Sequence, residues 1–247
     1  MTFRPIFYSL IAIFFAATAF AQPSAEPATG EELVAQLRAM QPGENSEISG
    51  VLKIRAPNRR IEIPVVCTVV TNGDSWRVTY ETRATTTSGA EKLVVIHTLG
   101  APNQYLYARA STPGADLPDL KSVSPSEAAI SLAGSDFWLS ELGFEFLHWP
   151  QQKKLKGEMR LGQPCYVLES VDPNGPVIAR VKSYIDKESG GILIAEAFDN
   201  KGKTVKEFSL SGSSFKKING RWQVKKMRIS SPKIDSETTL EFDLPEN

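Results

Sequence analysis

Polar and apolar positions follow two periods along this chain: three to four residues near its start, and two almost everywhere after. Thr29 opens a helical stretch. Its hydroxyl can cap the backbone, Glu32 stands three residues on as the capping-box partner, and Leu33, Leu37 and Met40 recur along one stripe. Gln41-Pro42-Gly43 stops it. From Glu47 to Ala110 the period becomes two. Leu52, Ile54 and Ala56 alternate with Lys53 and Arg55. Ile61, Ile63, Val65, Cys67 and Val69 share a face, and Trp76, Val78 and Tyr80 alternate with Arg77, Thr79 and Glu81. Turn residues Pro57-Asn58 and Asn72-Gly73-Asp74 separate these runs, which predicts an antiparallel meander, with further strands near 93–98 and 104–109.

The middle of the chain breaks the pattern. Ser124-Pro125-Ser126-Glu127 is a second capping box, predicting a short helix through about Leu132. The segment DFWLSELGFEFLHWP (136–150) is the most aromatic part of the chain. Strands then resume, near 154–161, 165–171, 177–186, 192–199, 204–210, 221–230 and 238–244, joined by Gly-, Asn- and Asp-containing turns. Val224 and Met227 fall out of phase, which predicts a bulge near Lys225-Lys226. About twelve strands and two or three helices imply a mainly β fold: one large curved antiparallel sheet or open barrel.

The first residues read differently again. Arg4, an apolar run from Ile6 to Phe20, and Ala19-Phe20-Ala21 before Gln22 form a secretory signal peptide over 1–21. Residues 22–28 are a polar, Pro-containing leader expected to be flexible, and 29–247 a single domain. No Cys follows the cleavage site, so the mature chain is expected to be soluble and free of a lipid anchor.

Composition narrows the function more than it names it. The chain has 28 basic and 28 acidic residues and a formal charge of zero, which argues against nucleic acid as a partner. Two His and two Cys, far apart, make no recognised metal site, and no cofactor is implied. His97 alternates with apolar neighbours on a strand, and His148 lies among aromatics, so no Ser-His-Asp arrangement suggests itself and no catalytic residue is assigned. Gly202-Lys203-Thr204 imitates a phosphate loop but lacks its first glycine, since position 197 is Ala, and reads as a hairpin turn. Glu141 and Glu145 are either a carboxylate pair or exposed charge on an amphipathic segment.

Cys67 and Cys165 either remain buried thiols or pair across a loop of about a hundred residues, a bridge worth roughly 4–5 kcal/mol in the chain-entropy model. Charge is uneven: residues 144–233 carry 17 basic and 9 acidic groups, and 234–247 carry none and 5. That basic block is either a docking face for anionic headgroups or an acidic partner, or the solvated outer face of the sheet with Lys guarding its edges. Phe137, Trp138, Leu142, Phe144, Phe146 and Trp149 are candidates to line or cover a ligand cavity on the sheet's concave apolar face.

Five motifs in order carry a resemblance: Gly134-Ser135-Asp136-Phe137, Gln163-Pro164-Cys165-Tyr166-Val167-Leu168-Glu169, Tyr184-Ile185-Asp186-Lys187, Phe198-Asp199-Asn200-Lys201-Gly202-Lys203 and Asn219-Gly220-Arg221-Trp222. With them the chain resembles the outer-membrane lipoprotein-sorting family, relatives of the periplasmic carrier LolA, well over about 134–244 and only in style over 29–130. The resemblance implies an unclosed antiparallel β-barrel covered by short helices, and a periplasmic carrier of acyl chains of lipoproteins or lipids. It also implies a membrane transport or receptor protein as partner. Arg55, Arg59 and Arg60 are the candidates for a polar gate by their place in the N-terminal strands. The alternative function is a lipid- or lipoprotein-sensing regulatory module that binds a protein partner through the basic block.

Overall fold

The computed structural model describes residues 26–86, 88–210, 214–218 and 221–245. The expected signal peptide and the first half of the leader lie outside these residues. The first helix, α1 (Gly30–Arg38), forms as its sequence dictates. Glu32 N donates to Thr29 Oγ1 at 3.1 Å, and the Glu32 carboxylate accepts from the Thr29 backbone N–H. Leu33 and Val34 are buried beneath it. A Cβ at Gly30 would stand 2.5 Å from the carbonyl oxygen of Gln152, so only glycine lets the helix start this close to the sheet. The end of the leader is held rather than loose. Glu26 pairs with Lys187 at 2.9 Å, and Lys154 Nζ donates to the Pro27 carbonyl.

Two meanders follow. The first runs through β1 (Ser46–Ala56), β2 (Arg59–Asn72), β3 (Ser75–Thr82), β4 (Glu91–Thr98), β5 (Gln104–Arg109) and the short β6 (Lys121–Val123). The second comprises β7 (Gln151–Arg160), β8 (Gln163–Val171), β9 (Arg180–Asp186), β10 (Ile192–Phe198) and β11 (Thr204–Ser209). It then passes a detached hairpin of β12 (Phe215–Ile218) and β13 (Arg221–Val224), and ends in β14 (Lys226–Ser231) and β15 (Ser236–Phe242). They join into one thirteen-stranded antiparallel sheet in the order β6-β5-β4-β3-β2-β1-β15-β14-β11-β10-β9-β8-β7. The sheet does not close, because β6 and β7 stay at opposite edges. At its centre β1 pairs with β15, Leu52 opposite Leu240 and Gly50 opposite Phe242.

Period-two alternation places the core. Ile48, Leu52 and Ile54 on β1, Ile63, Val65, Cys67 and Val69 on β2, and Leu240 and Phe242 on β15 are buried in one cluster. A second cluster joins Leu33 and Val34 of α1 to Leu168, Val181, Ile185 and Ile192 of the second meander. The segment between the meanders feeds both. Leu132, Phe137 and Leu139 enter the first, while Phe146 and Leu147 enter the second.

Two local expectations change. The phase break near Lys225 is not a bulge within one strand. Among the described residues β13 pairs only with β12, and β14 joins the large sheet, so the chain changes partners there. The second capping box does form, the Ser124 N–H donating to Glu127 Oε2 at 3.4 Å, yet it opens a single 3-10 turn over Pro125–Glu127 rather than a helix. The following residues fold back on the aromatic segment instead. Leu139 N donates to Ile130 O and Leu132 N to Phe137 O, both at 2.9 Å, so tertiary pairing outweighs helix propensity.

The charge asymmetry resolves across the sheet. Arg228 meets Glu237 at 3.5 Å and Lys225 meets Glu241 at 3.7 Å, so the acidic last strand neutralises the basic one beside it. Arg180 of β9 pairs with Glu169 of the neighbouring β8, and Lys182 of β9 reaches across β8 to Glu158 of β7. These pairs fit a solvated sheet face with alternating charge, one of the two readings that the sequence left open.

Candidate functional site

The aromatic segment lies across the covered face of the sheet and is tied down on both sides. Asp136, buried, accepts hydrogen bonds from Ser231 Oγ at 2.6 Å, Ser236 Oγ at 2.9 Å and Thr238 Oγ1 at 2.8 Å, which fixes the start of the segment to the β14–β15 junction. A short helix, α2 (Leu139–Leu142), follows. Its Glu141 caps the Trp138 N–H at 2.8 Å and forms an ion pair with Lys206 of β11, also at 2.8 Å. Lys206 Nζ donates besides to the Asp136 carbonyl at 2.6 Å, and stands 3.6 Å from the centroid of the Trp138 ring. Burial pushes the Glu141 carboxyl up and the Lys206 ammonium down, and each opposes that shift in the other.

Glu145 secures the opposite side. Tyr105 Oη donates to it at 2.8 Å and Asn103 Nδ2 at 3.3 Å, while Asn103 also reaches the Gly143 carbonyl at 2.8 Å. Burial raises the Glu145 carboxyl above its ordinary range, against the lowering effect of these two donors. A Cβ at Gly143 would stand 2.3 Å from Tyr105 Oη, so glycine sets how closely the segment approaches β5. Between the two ties Phe144 takes a left-handed backbone, φ 53° and ψ 41°, a strained conformation for a bulky residue. Neither glutamate is free surface charge, and they do not work as a pair. Each anchors the segment to a different half of the sheet.

Space remains on either side of this strap. The larger hollow, about 430 Å³, lies between the C-terminal end of α1, Val69, Trp76 and Val78 of β2–β3, and Leu142, Phe144 and Leu147. The smaller, about 150 Å³, lies between the segment and Ile178, Val181, Phe208 and Ile229 of the second meander. Tyr80, Leu142, Phe144 and Ile192 border both. The single cavity expected from the sequence is thus two adjoining hollows divided by the segment that was expected only to cover it. Both are partly enclosed and predominantly apolar, the setting in which ligand pockets form.

The six residues singled out in the sequence come together here. Phe137, Trp138, Leu142, Phe144, Phe146 and Trp149 all border the smaller hollow, and Leu142 and Phe144 also border the larger. Arg55, Arg59 and Arg60 do not reach either space; they are exposed around the β1–β2 turn, where Arg59 lies beside Gly134. Cys67 and Cys165 are free thiols in separate buried clusters, so the bridge that the sequence left open is not made. His97 stacks on Trp76, with centroids 5.0 Å apart, against the larger hollow. Burial lowers its pKa to about 4, and it is a neutral packing ring at physiological pH. Lys206 escaped the sequence reading. Its one signal was a place two residues from Phe208 on an alternating strand, hence on the inner face.

Among the described residues no group of three or more His, Cys, Asp and Glu is placed to hold a metal ion, and no helix is long and apolar enough to cross a membrane.

Comparison with known proteins places this geometry. A family model described as "uncharacterized protein" matches residues 74–246. Among solved structures, a DUF1329 family protein from Desulfovibrio piger is 18% identical with a TM-score of 0.66, the match covering 88% of this chain and 93% of that one. A candidate outer membrane lipoprotein-sorting protein domain from Vibrio parahaemolyticus is 16% identical with a TM-score of 0.67, covering 87% and 90%. A LolA superfamily protein from Nitrosomonas europaea is 13% identical with a TM-score of 0.57, covering 88% and 95%. At these identities the likeness is one of fold, and the fold is the unclosed, helix-covered sheet that the sequence motifs implied. A comparison with curated proteins found no match.

Proposed function

The chain belongs to this family matched over residues 74–246, and from that premise and the shared fold we propose that it is a periplasmic carrier of acyl chains of lipids or lipoproteins. The observation that carries the reading is the pair of adjoining apolar hollows, about 430 and 150 Å³, held open on the covered face of an unclosed sheet. Each CH2 moved from water into such a space gains about 0.8 kcal/mol, so a long acyl chain travels through an aqueous compartment only when sheltered. The protein does no chemistry on its cargo in this reading. The strap residues Phe144 and Leu142 meet the chain, and a membrane protein delivers and receives it.

The test is lipid extraction and mass spectrometry of the exported, mature protein, with titration of a hydrophobic dye. The carrier reading expects copurifying acyl lipid, displaceable dye, and reduced uptake when Ala197→Trp fills the smaller hollow. Mature protein that takes up neither dye nor amphiphile at any acyl length overturns it.

A further inference from the structure

The two hollows differ in their charged groups. The smaller is bordered by Glu141, Glu145 and Asp172 as well as Lys206. The larger is bordered by no Asp or Glu among the described residues. Its ionisable groups are Arg38, His97, His148 and the phenol of Tyr80. His97 is deep, stacked and neutral. Arg38 is different. It is the last residue of α1, it is exposed at the rim, and no salt bridge or hydrogen bond ties it to another described residue. A guanidinium stays charged at every physiological pH and matches the geometry of carboxylate or phosphate oxygens. Half-buried His148 borders the same space.

Beside Arg38 and the polar Gln41, the rim exposes large apolar side chains. Met40 is 41% and Leu99 38% accessible, and both border the hollow. The last carbonyls of α1, which would repel an anion, are partly satisfied: Ala39 N donates to Ala35 O at 3.0 Å and Met40 N to Leu37 O at 3.2 Å. A largely apolar interior, exposed apolar side chains at the rim and, among the described residues, a cation with no ion-pair partner at the edge form a head-and-tail arrangement.

We propose that the larger hollow takes the acyl chain of an anionic single-chain amphiphile, and that Arg38, with His148 beside it, holds the carboxylate or phosphate headgroup. This rests on the carrier reading and narrows it. A charge-assisted hydrogen bond at a rim gives about a tenfold to hundredfold preference over an uncharged head on the same chain.

The experiment titrates the full mature protein with palmitate, palmitoyl lysophosphatidic acid, the neutral monopalmitoylglycerol and inorganic phosphate, followed by calorimetry. Both anionic amphiphiles are expected to bind about tenfold to hundredfold tighter than monopalmitoylglycerol, and inorganic phosphate alone to bind not at all. A fatty-acid and a phosphate source are told apart by which of the two anions binds tighter. In Arg38→Gln the anionic affinities fall to that of the neutral lipid, and Arg38→Lys retains most of the preference. Equal binding of charged and neutral amphiphiles, an unchanged preference in Arg38→Gln, or binding of phosphate alone as tight as that of the amphiphiles overturns the headgroup assignment while leaving the carrier reading in place. Failure of every amphiphile to bind overturns the carrier reading itself.

Discussion

Replacing Lys206 by Met removes the ammonium that ties α2 to β11 while preserving most of the side chain's length. Glu141 is then left with the Trp138 N–H as its partner, and the Asp136 carbonyl loses its donor. The side chains of Lys206 and Glu141 are only 5% and 19% exposed, so water relieves little of the loss. Removing one member of such a pair costs about 3–5 kcal/mol, which for a domain of this size lowers Tm by roughly 6–20 °C. The deficit carries a pH signature. Burial already raises the Glu141 carboxyl above 4.5, and losing the ammonium raises it further. A carboxyl whose folded pKa exceeds its unfolded value weakens the fold when ionised. The cost is therefore full above the folded pKa and shrinks as pH falls toward the ordinary carboxylate range. Urea unfolding of Lys206→Met and wild type, followed by tryptophan fluorescence at pH 7.5 and pH 5, measures both parts. The double variant Lys206→Met, Glu141→Leu is expected to regain most of the loss at either pH, since no charge is then stranded. A deficit under about 1 kcal/mol at pH 7.5, or one equal at both pH values, would refute the claim that this pair is buried and interdependent.

Two further outcomes follow from the same geometry. His97 takes up its proton near pH 4 in the folded chain and near 6.5 when unfolded, so its contribution to stability is complete above 6.5 and is lost as pH falls through that window. The loss is about 3 kcal/mol in total; an imidazole NMR titration should give the low pKa, His97→Gln should flatten the acid limb, and a midpoint above 6 would contradict the burial argument. Burial also raises both thiols, so a thiol reagent should leave Cys67 and Cys165 untouched in the native protein and label both on unfolding, with no prior reduction needed. Labelling of fewer than two sites in the unreduced, unfolded chain would mean a bridge exists after all.

Much of the fold could be read from local periodicity. The strand spanning 104–109 and the helix opened by Thr29 and Glu32 rest on signals within a few residues of one another, and both stand where the pattern put them. The alternation in β2 named the right face for Ile63, Val65, Cys67 and Val69. What failed depends on partners distant in sequence. The alternation breaks phase at Lys225 because residues on its two sides pair with different strands, which no local window reveals. Val123 ends a three-residue edge strand too short to show a period. At the site, the aromatic cluster was conspicuous by composition, whereas Lys206 was not. A lysine on a strand ordinarily points outward, and only Glu141, sixty-five residues earlier, makes its inward orientation tolerable. The larger hollow's rim was equally hidden, since Arg38, Leu99 and His148 come from three separate stretches of chain.

The seam between β1 and β15 has a consequence for how the molecule is made and unmade. Every other neighbouring pair in the large sheet joins strands that are closer together along the chain, but this one waits for β15, about 180 residues after β1, and until then both halves present a bare flank. Removing β15 would accordingly not fray the outside of the sheet. It would split it down the middle, leaving Leu52 and Ile54 paired with β2 alone.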